Sequence, residues 1–158
     1  MRQLTLLGLL PLALAACADQ KKPFAIRCTG ESKGTVLLGD GIETKVVSET
    51  WTIDPKTKTL TEIGSDGRTG TSFCAPSRRG TSRCEVRVSS AAVEADRTHR
   101  ERYSNGQKMR IDWQFRYDRD AKTAFAAKYI TGTASRGSHR VRQLTCSPMP
   151  LPVLETSS

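Results

Sequence analysis

One stretch of the chain alternates strictly between apolar and polar residues. In MRIDWQFRYD, residues 109–118, the side chains of Ile111, Trp113, Phe115 and Tyr117 occupy every second position, and charged or polar residues stand between them. Successive side chains of a strand point to opposite faces of its sheet. This period therefore predicts a half-buried strand of an antiparallel sheet.

Shorter runs of the same kind fill most of the remaining sequence. Asn105-Gly106, just before the alternating stretch, predicts a hairpin with a primed turn. At 158 residues the chain is long enough for one domain. We expect an all-β fold, a single small antiparallel barrel or sandwich of about eight to ten strands stapled by disulfides. The other predicted strands cover residues 24–29, 35–38, 44–53, 57–63, 70–74, 83–89, 123–131 and 139–146.

Residues 90–104 allow two interpretations. Ser90 is a suitable helix N-cap, and the Ala and Glu that follow favour a helix. The same segment read as a strand places Val93, Ala95, Arg97 and His99 on one face. We favour the strand, because the predicted hairpin needs a partner for residues 109–118.

The N-terminus has the layout of an export signal. Residues 1–16 contain a basic start, an apolar stretch and a small-residue end, and the apolar stretch is too short for a membrane span of about 20 residues. The sequence Leu14-Ala15-Ala16-Cys17 resembles the lipobox of bacterial lipoproteins. That resemblance implies cleavage before Cys17 and acyl chains on its sulfur and amine, which together give stable membrane attachment.

The resemblance also implies a location and a division of the chain. In such lipoproteins an Asp directly after the cysteine retains the protein in the inner membrane, and this chain has Ala18 there. For a Gram-negative host we therefore expect an outer-membrane lipoprotein facing the periplasm. The expected parts are a signal peptide (1–16), a lipidated tether (17–23), a β-domain (24–147) and a flexible tail (148–158).

Four further cysteines remain in the exported part. An even number in an exported chain predicts disulfides, with three ways to pair them. We favour Cys74 with Cys84, which closes a short loop, and Cys28 with Cys146, which ties the first strand to the last. Zinc sites use close pairs such as C-x2-C, and this sequence has none, so we expect no metal and no cofactor.

The positive charge lies in the second half of the chain. Residues 17–66 contain 7 Lys and Arg against 8 Asp and Glu, whereas residues 67–158 contain 17 against 8. Such a half attracts an anionic envelope polymer or an acidic protein. No run of Lys or Arg exceeds two residues, and nucleic acid is not expected as a partner. The candidate anion-binding residues are Arg78, Arg79, Arg136, Arg140 and Arg142.

The sequence offers little for catalysis. His99 and His139 are predicted to be exposed strand residues, and Asp118 and Asp120 lie in a predicted turn, where aspartates bond their own backbone. No nucleophile elbow, phosphate loop or H-E-x-x-H motif is present. We therefore expect a protein that is not an enzyme.

Two resemblances concern the β-domain. FAIRCTG near the start, together with a late cysteine, resembles small exported bacterial β-proteins of unknown function, and no catalytic residue follows from that likeness. RYSNG, residues 102–106, resembles part of the inhibitory loop of membrane-bound inhibitors of C-type lysozyme. The expected function is a lipid-anchored, non-catalytic binding or accessory protein of the cell envelope. The alternative is an inhibitor of a protein target such as a lysozyme-type hydrolase.

Overall fold

The computed structural model of the protein describes residues 22–35, 41–67, 69–77, 79–133 and 137–153, and none of these residues is helical. They form nine strands, which confirms the all-β fold. The strands are β1 (Phe24–Thr35), β2 (Ile42–Asp54), β3 (Thr59–Ile63), β4 (Gly70–Ser72), β5 (Thr81–Val88), β6 (Ala92–Arg102), β7 (Lys108–Asp118), β8 (Thr123–Gly132) and β9 (Ser138–Met149).

All nine strands belong to one antiparallel sheet that curls into a half-barrel. Its order is β4-β3-β2-β1-β9-β8-β7-β6-β5, so the first and last strands are neighbours at its centre. The rings of Trp51 on β2 and Phe115 on β7 lie 4.7 Å apart, although three strands separate β2 from β7 along the sheet. Such contact is possible only because the sheet bends around its inner face.

The two disulfides hold this sheet at its centre and across its open side. Cys28 and Cys146 are directly opposite each other in β1 and β9, with Cα atoms 4.0 Å apart. Cys74 follows the edge strand β4 and is bonded to Cys84 on the other edge strand, β5. Both predicted pairings are therefore confirmed. By loop-closure entropy the long-range bond stabilises the fold by about 5 kcal/mol and the short one by about 3 kcal/mol.

The core lies on the concave face. The predicted alternation of β7 is confirmed there, since Phe115 and Tyr117 are buried. Trp51 and Phe115 pack at the centre of a cluster that draws on strands from both halves of the sheet. The other members of the cluster are Ile26, Cys28, Ile53, Leu60, Val86, Val93, Ala95, Tyr117, Ala124, Ala126, Leu144 and Cys146.

Residues 92–102 form strand β6, so the helical alternative for this segment is wrong. Val93, Ala95 and His99 share the concave face, as the strand interpretation placed them on one face, and all three are buried. The hairpin that follows differs from the prediction. Gly106 has φ +81° and donates its N–H to the Tyr103 carbonyl, whereas the φ of Asn105 is not positive. The connection is therefore a three-residue loop ending in a left-handed glycine, not a two-residue primed turn.

Strand β1 packs unusually close to β9 at one position. A Cβ atom on Gly30 would overlap the carbonyl oxygen of Gln143 and crowd the Cα of Leu144. Only glycine fits this approach without a shift of the strands. At its far end β9 continues to Met149, two residues beyond the predicted boundary of the β-domain.

Candidate functional site

Two of the predicted anion-binding arginines are engaged with glutamates of β2. The guanidinium of Arg142 pairs with the Glu49 carboxylate, and Arg140 Nη2 lies 3.2 Å from Glu43 Oε2. Both side chains project from the concave face of β9, and each has a carboxylate partner there. Arg79 is exposed at the start of the chain leading into β5. Cys17, Arg78 and Arg136 lie outside the described residues.

His99 is buried, with 4% of its surface exposed, so the expectation of an exposed histidine is wrong. It lies opposite Ser82, whose Oγ is 3.0 Å from Nδ1. Its Nε2 is 3.8 Å from the Glu101 carboxylate, beyond hydrogen-bond range. Ser82, His99 and Glu101 therefore do not form a hydrolytic triad, because the hydrogen bond between the histidine and the carboxylate is missing.

The other candidates for acid-base chemistry have local roles or stand alone. Asp118 accepts hydrogen bonds from the backbone N–H groups of Asp120 and Ala121, at 3.0 and 2.8 Å. This is the turn-forming role that the sequence predicted for Asp118. His139 is exposed on the convex face.

A cluster of cations on the convex face is the most conspicuous feature of the surface. Four of its members lie where β6 ends and β7 begins, one lies on the adjacent strand β5, and all its side chains are exposed. We call it the basic patch: Arg83, Arg100, Arg102, Lys108 and Arg110. The patch borders a depression of about 610 Å³ that Thr81 and Thr131 also line.

The register of β6 and β7 places like charges directly opposite each other. Arg100 faces Arg110, and Arg102 faces Lys108. Side chains in such positions are about 5 Å apart at Cβ, and like charges there destabilise the strand pair. The β6–β7 hairpin therefore contains two pairs of like charges, and each pair lowers the stability of the hairpin.

Within the described part of the chain, one carboxylate counters the patch. Asp112 Oδ2 lies 2.8 Å from Arg110 Nε. Desolvation alone would raise the pKa of Asp112, but hydrogen bonds from Thr98 and Arg110 outweigh it and hold that pKa below its usual value. The side chains of Arg83, Arg100, Arg102 and Lys108 have no salt bridge among the residues that the structure describes.

The loop of the short disulfide lies beside the basic patch. Gly80 has φ +77°, and a Cβ atom there would overlap the carbonyl oxygen of Arg100. The chain entering β5 is thus held against β6, which brings Arg79 next to the patch. Of the five arginines predicted from the sequence, Arg79 is the one that the described structure associates with this cluster.

Comparison with known proteins adds no relatives: no family model, no curated protein and no solved structure matches the chain. Across the described residues, no three His, Cys, Asp or Glu side chains come together in a way that could hold a metal ion. Over the same residues no helix has the length and apolar character to cross a bilayer.

Proposed function

We propose that this protein is a lipid-anchored, non-catalytic binding protein of the bacterial cell envelope that attaches to an anionic cell-wall polymer through its basic patch. Cys17 carries the lipid anchor, and the outer membrane, on its periplasmic side, is the expected location. The observation that carries the proposal is the two pairs of opposed cations, Arg100 with Arg110 and Arg102 with Lys108. A polyanion lying across the hairpin would offset this repulsion through charge-assisted hydrogen bonds.

The position of the basic patch relative to the anchor favours a partner beyond the anchoring membrane. β1 starts at Phe24 at one end of the sheet, where it pairs near the end of β9 at Met149. The patch lies at the opposite end, about 45 Å away along the strands. Residues 17–23 reach at most about 25 Å when fully extended. This arrangement favours the cell wall over the headgroups of the membrane that holds the lipid.

The proposal is tested by co-sedimentation of the exported domain with purified peptidoglycan sacculi over a range of salt concentrations. Binding by several cations to a polyanion releases counterions, so we expect the affinity to fall steeply between about 50 and 200 mM salt. Vesicles containing anionic lipid serve as the comparison and are expected to bind more weakly. Binding that ignores salt, or that occurs only on the vesicles, would contradict the proposal.

A further inference from the structure

A cavity of about 330 Å³ opens on the concave face, above the apolar core. It lies on the opposite side of the sheet from the basic patch and shares no lining residue with it. Its volume is at the lower end of the range for small-molecule sites. The side chains that matter below are Trp51, Glu62, Phe73, Arg97, Trp113 and Lys128.

Trp113 forms one wall of the cavity between two cations. In the register of the sheet it faces Arg97 on β6 and Lys128 on β8. The Arg97 Cζ is 4.8 Å from the ring centroid and the Lys128 Nζ is 5.2 Å from it. This wall therefore combines an aromatic surface with two positive charges held in place by cation–π contacts.

Buried polar atoms near the cavity are left without a partner. Trp51 is 4% exposed, and its Nε1 has no hydrogen-bond partner among the described residues. The same holds for Arg97 Nε, although Arg97 Nη1 donates to the Phe73 carbonyl at 3.1 Å. Buried donors in folded proteins are almost always paired, and an unpaired one is destabilising. Both residues line the cavity, so its lining contains polar groups that the described part of the fold leaves unpaired.

The charges on the two sides of the cavity are opposite in sign and poorly compensated. Desolvation, followed by repulsion from Arg142 and Arg140, lowers the pKa of Lys128. On the facing strand β3, desolvation and repulsion from Glu49 raise the pKa of Glu62, and Arg142 only partly opposes them. A negative group beside Lys128 and a positive group beside Glu62 would each stabilise the charged form of its neighbour.

We infer that this cavity binds a small zwitterion, an α-amino acid or a dipeptide with an apolar side chain. The ligand carboxylate lies between the Lys128 ammonium and the Arg97 guanidinium, the two cations beside Trp113. The ligand ammonium lies beside Glu62, and the apolar side chain packs on the tryptophan rings. This inference does not depend on the polymer-binding role of the basic patch, and each of the two proposals can be disproved without affecting the other.

Three probes of similar shape separate the contributions of the two charges. L-Phenylalanine carries both, 3-phenylpropionate lacks the ammonium, and phenethylamine lacks the carboxylate. Both tryptophans of the chain line the cavity, so their fluorescence reports occupancy directly. At probe concentrations up to about 10 mM, we expect L-phenylalanine to bind roughly tenfold or more tightly than either analogue, because a charge-assisted hydrogen bond is lost in each.

Two substitutions test which residue binds the ligand ammonium and which residue binds the ligand carboxylate. Glu62→Gln should bring L-phenylalanine to the affinity of 3-phenylpropionate. Lys128→Met should shift the affinity for L-phenylalanine toward that of phenethylamine, with Arg97 still available to the carboxylate. Glu31→Gln and Lys56→Met, at exposed positions away from the cavity, should change nothing. Thermal unfolding of each variant establishes that it is folded. Absence of binding by L-phenylalanine, equal binding of the three probes, or affinities that the cavity variants leave unchanged would overturn the inference.

Discussion

A Cys17→Ser variant is expected to lose its lipid entirely and to accumulate as an uncut precursor. The peptidase of the lipobox pathway acts on the lipidated cysteine, and a serine hydroxyl at position 17 offers no thiol for the diacylglycerol. The precursor therefore lacks the anchor that several acyl chains on Cys17 would provide. Labelling cells with radioactive palmitate and measuring the mass of the product give the result.

Ala18→Asp is the matched variant for the anchor. It keeps Cys17 and should be labelled like the wild type, but the sorting pattern of such lipoproteins predicts retention in the inner membrane. Separation of inner and outer membranes by density resolves the two locations. A Cys17→Ser protein that is correctly matured and membrane-bound would contradict the assignment of the anchor.

The triple substitution Arg100→Gln, Arg102→Gln and Lys108→Gln should abolish most binding to sacculi. It removes three of the five cations of the basic patch and both opposed pairs. We expect affinity to fall at least tenfold near 0.1 M salt, and the slope of log affinity against log salt to decrease by about three, roughly one for each cation removed. Because like charges facing each other are destabilising, the folded domain should be equally or more resistant to urea.

A matched control removes the same charge at the other end of the sheet. Lys56, Lys58 and Lys122 are exposed residues in the turns between β2 and β3 and between β7 and β8. Their replacement with Gln gives the same net charge as the triple variant without touching the patch. Equal losses of binding for the two triple variants would show that overall charge, rather than the basic patch, governs attachment.

Much of the fold could be predicted from local patterns. The alternation in residues 109–118 identified β7 and its buried face, because a period of two has no other common explanation in a short apolar run. The disulfide pairs were predicted from the short spacing of Cys74 and Cys84 and from a tie between the first strand and the last, and β1 and β9 are indeed neighbours. The order of the remaining strands and the open side of the half-barrel depend on long-range packing and were not predictable in this way.

The candidate site was harder to predict than the fold. Arg140 and Arg142 were predicted from the sequence to bind an anionic ligand. In the folded sheet they lie within reach of Glu43 and Glu49, which are about 95 residues away in the chain. His99 was expected to be an exposed strand residue, yet it lies on the buried face of β6, while Arg100 and Arg102 are exposed.

The basic patch did leave a signal in the sequence. Arg100, Arg102, Lys108 and Arg110 stand at alternate positions on either side of the Asn-Gly loop. Once residues 92–102 are accepted as a strand, a hairpin must bring these four cations to one face. The cavity gave no such signal, because Glu62 on β3 comes near Trp113 and Lys128 only when the whole sheet curls.

The most direct test of the account is photo-crosslinking in living cells from a photoreactive residue placed at Thr81, beside Arg79 and the basic patch. The same residue at Thr145, toward the other end of the sheet, is the comparison. We predict that position 81 crosslinks to cell-wall polymer in the membrane-anchored protein and that position 145 does not. A single stoichiometric protein partner at position 81 would contradict polymer binding and would make this protein an inhibitor or adaptor of that partner.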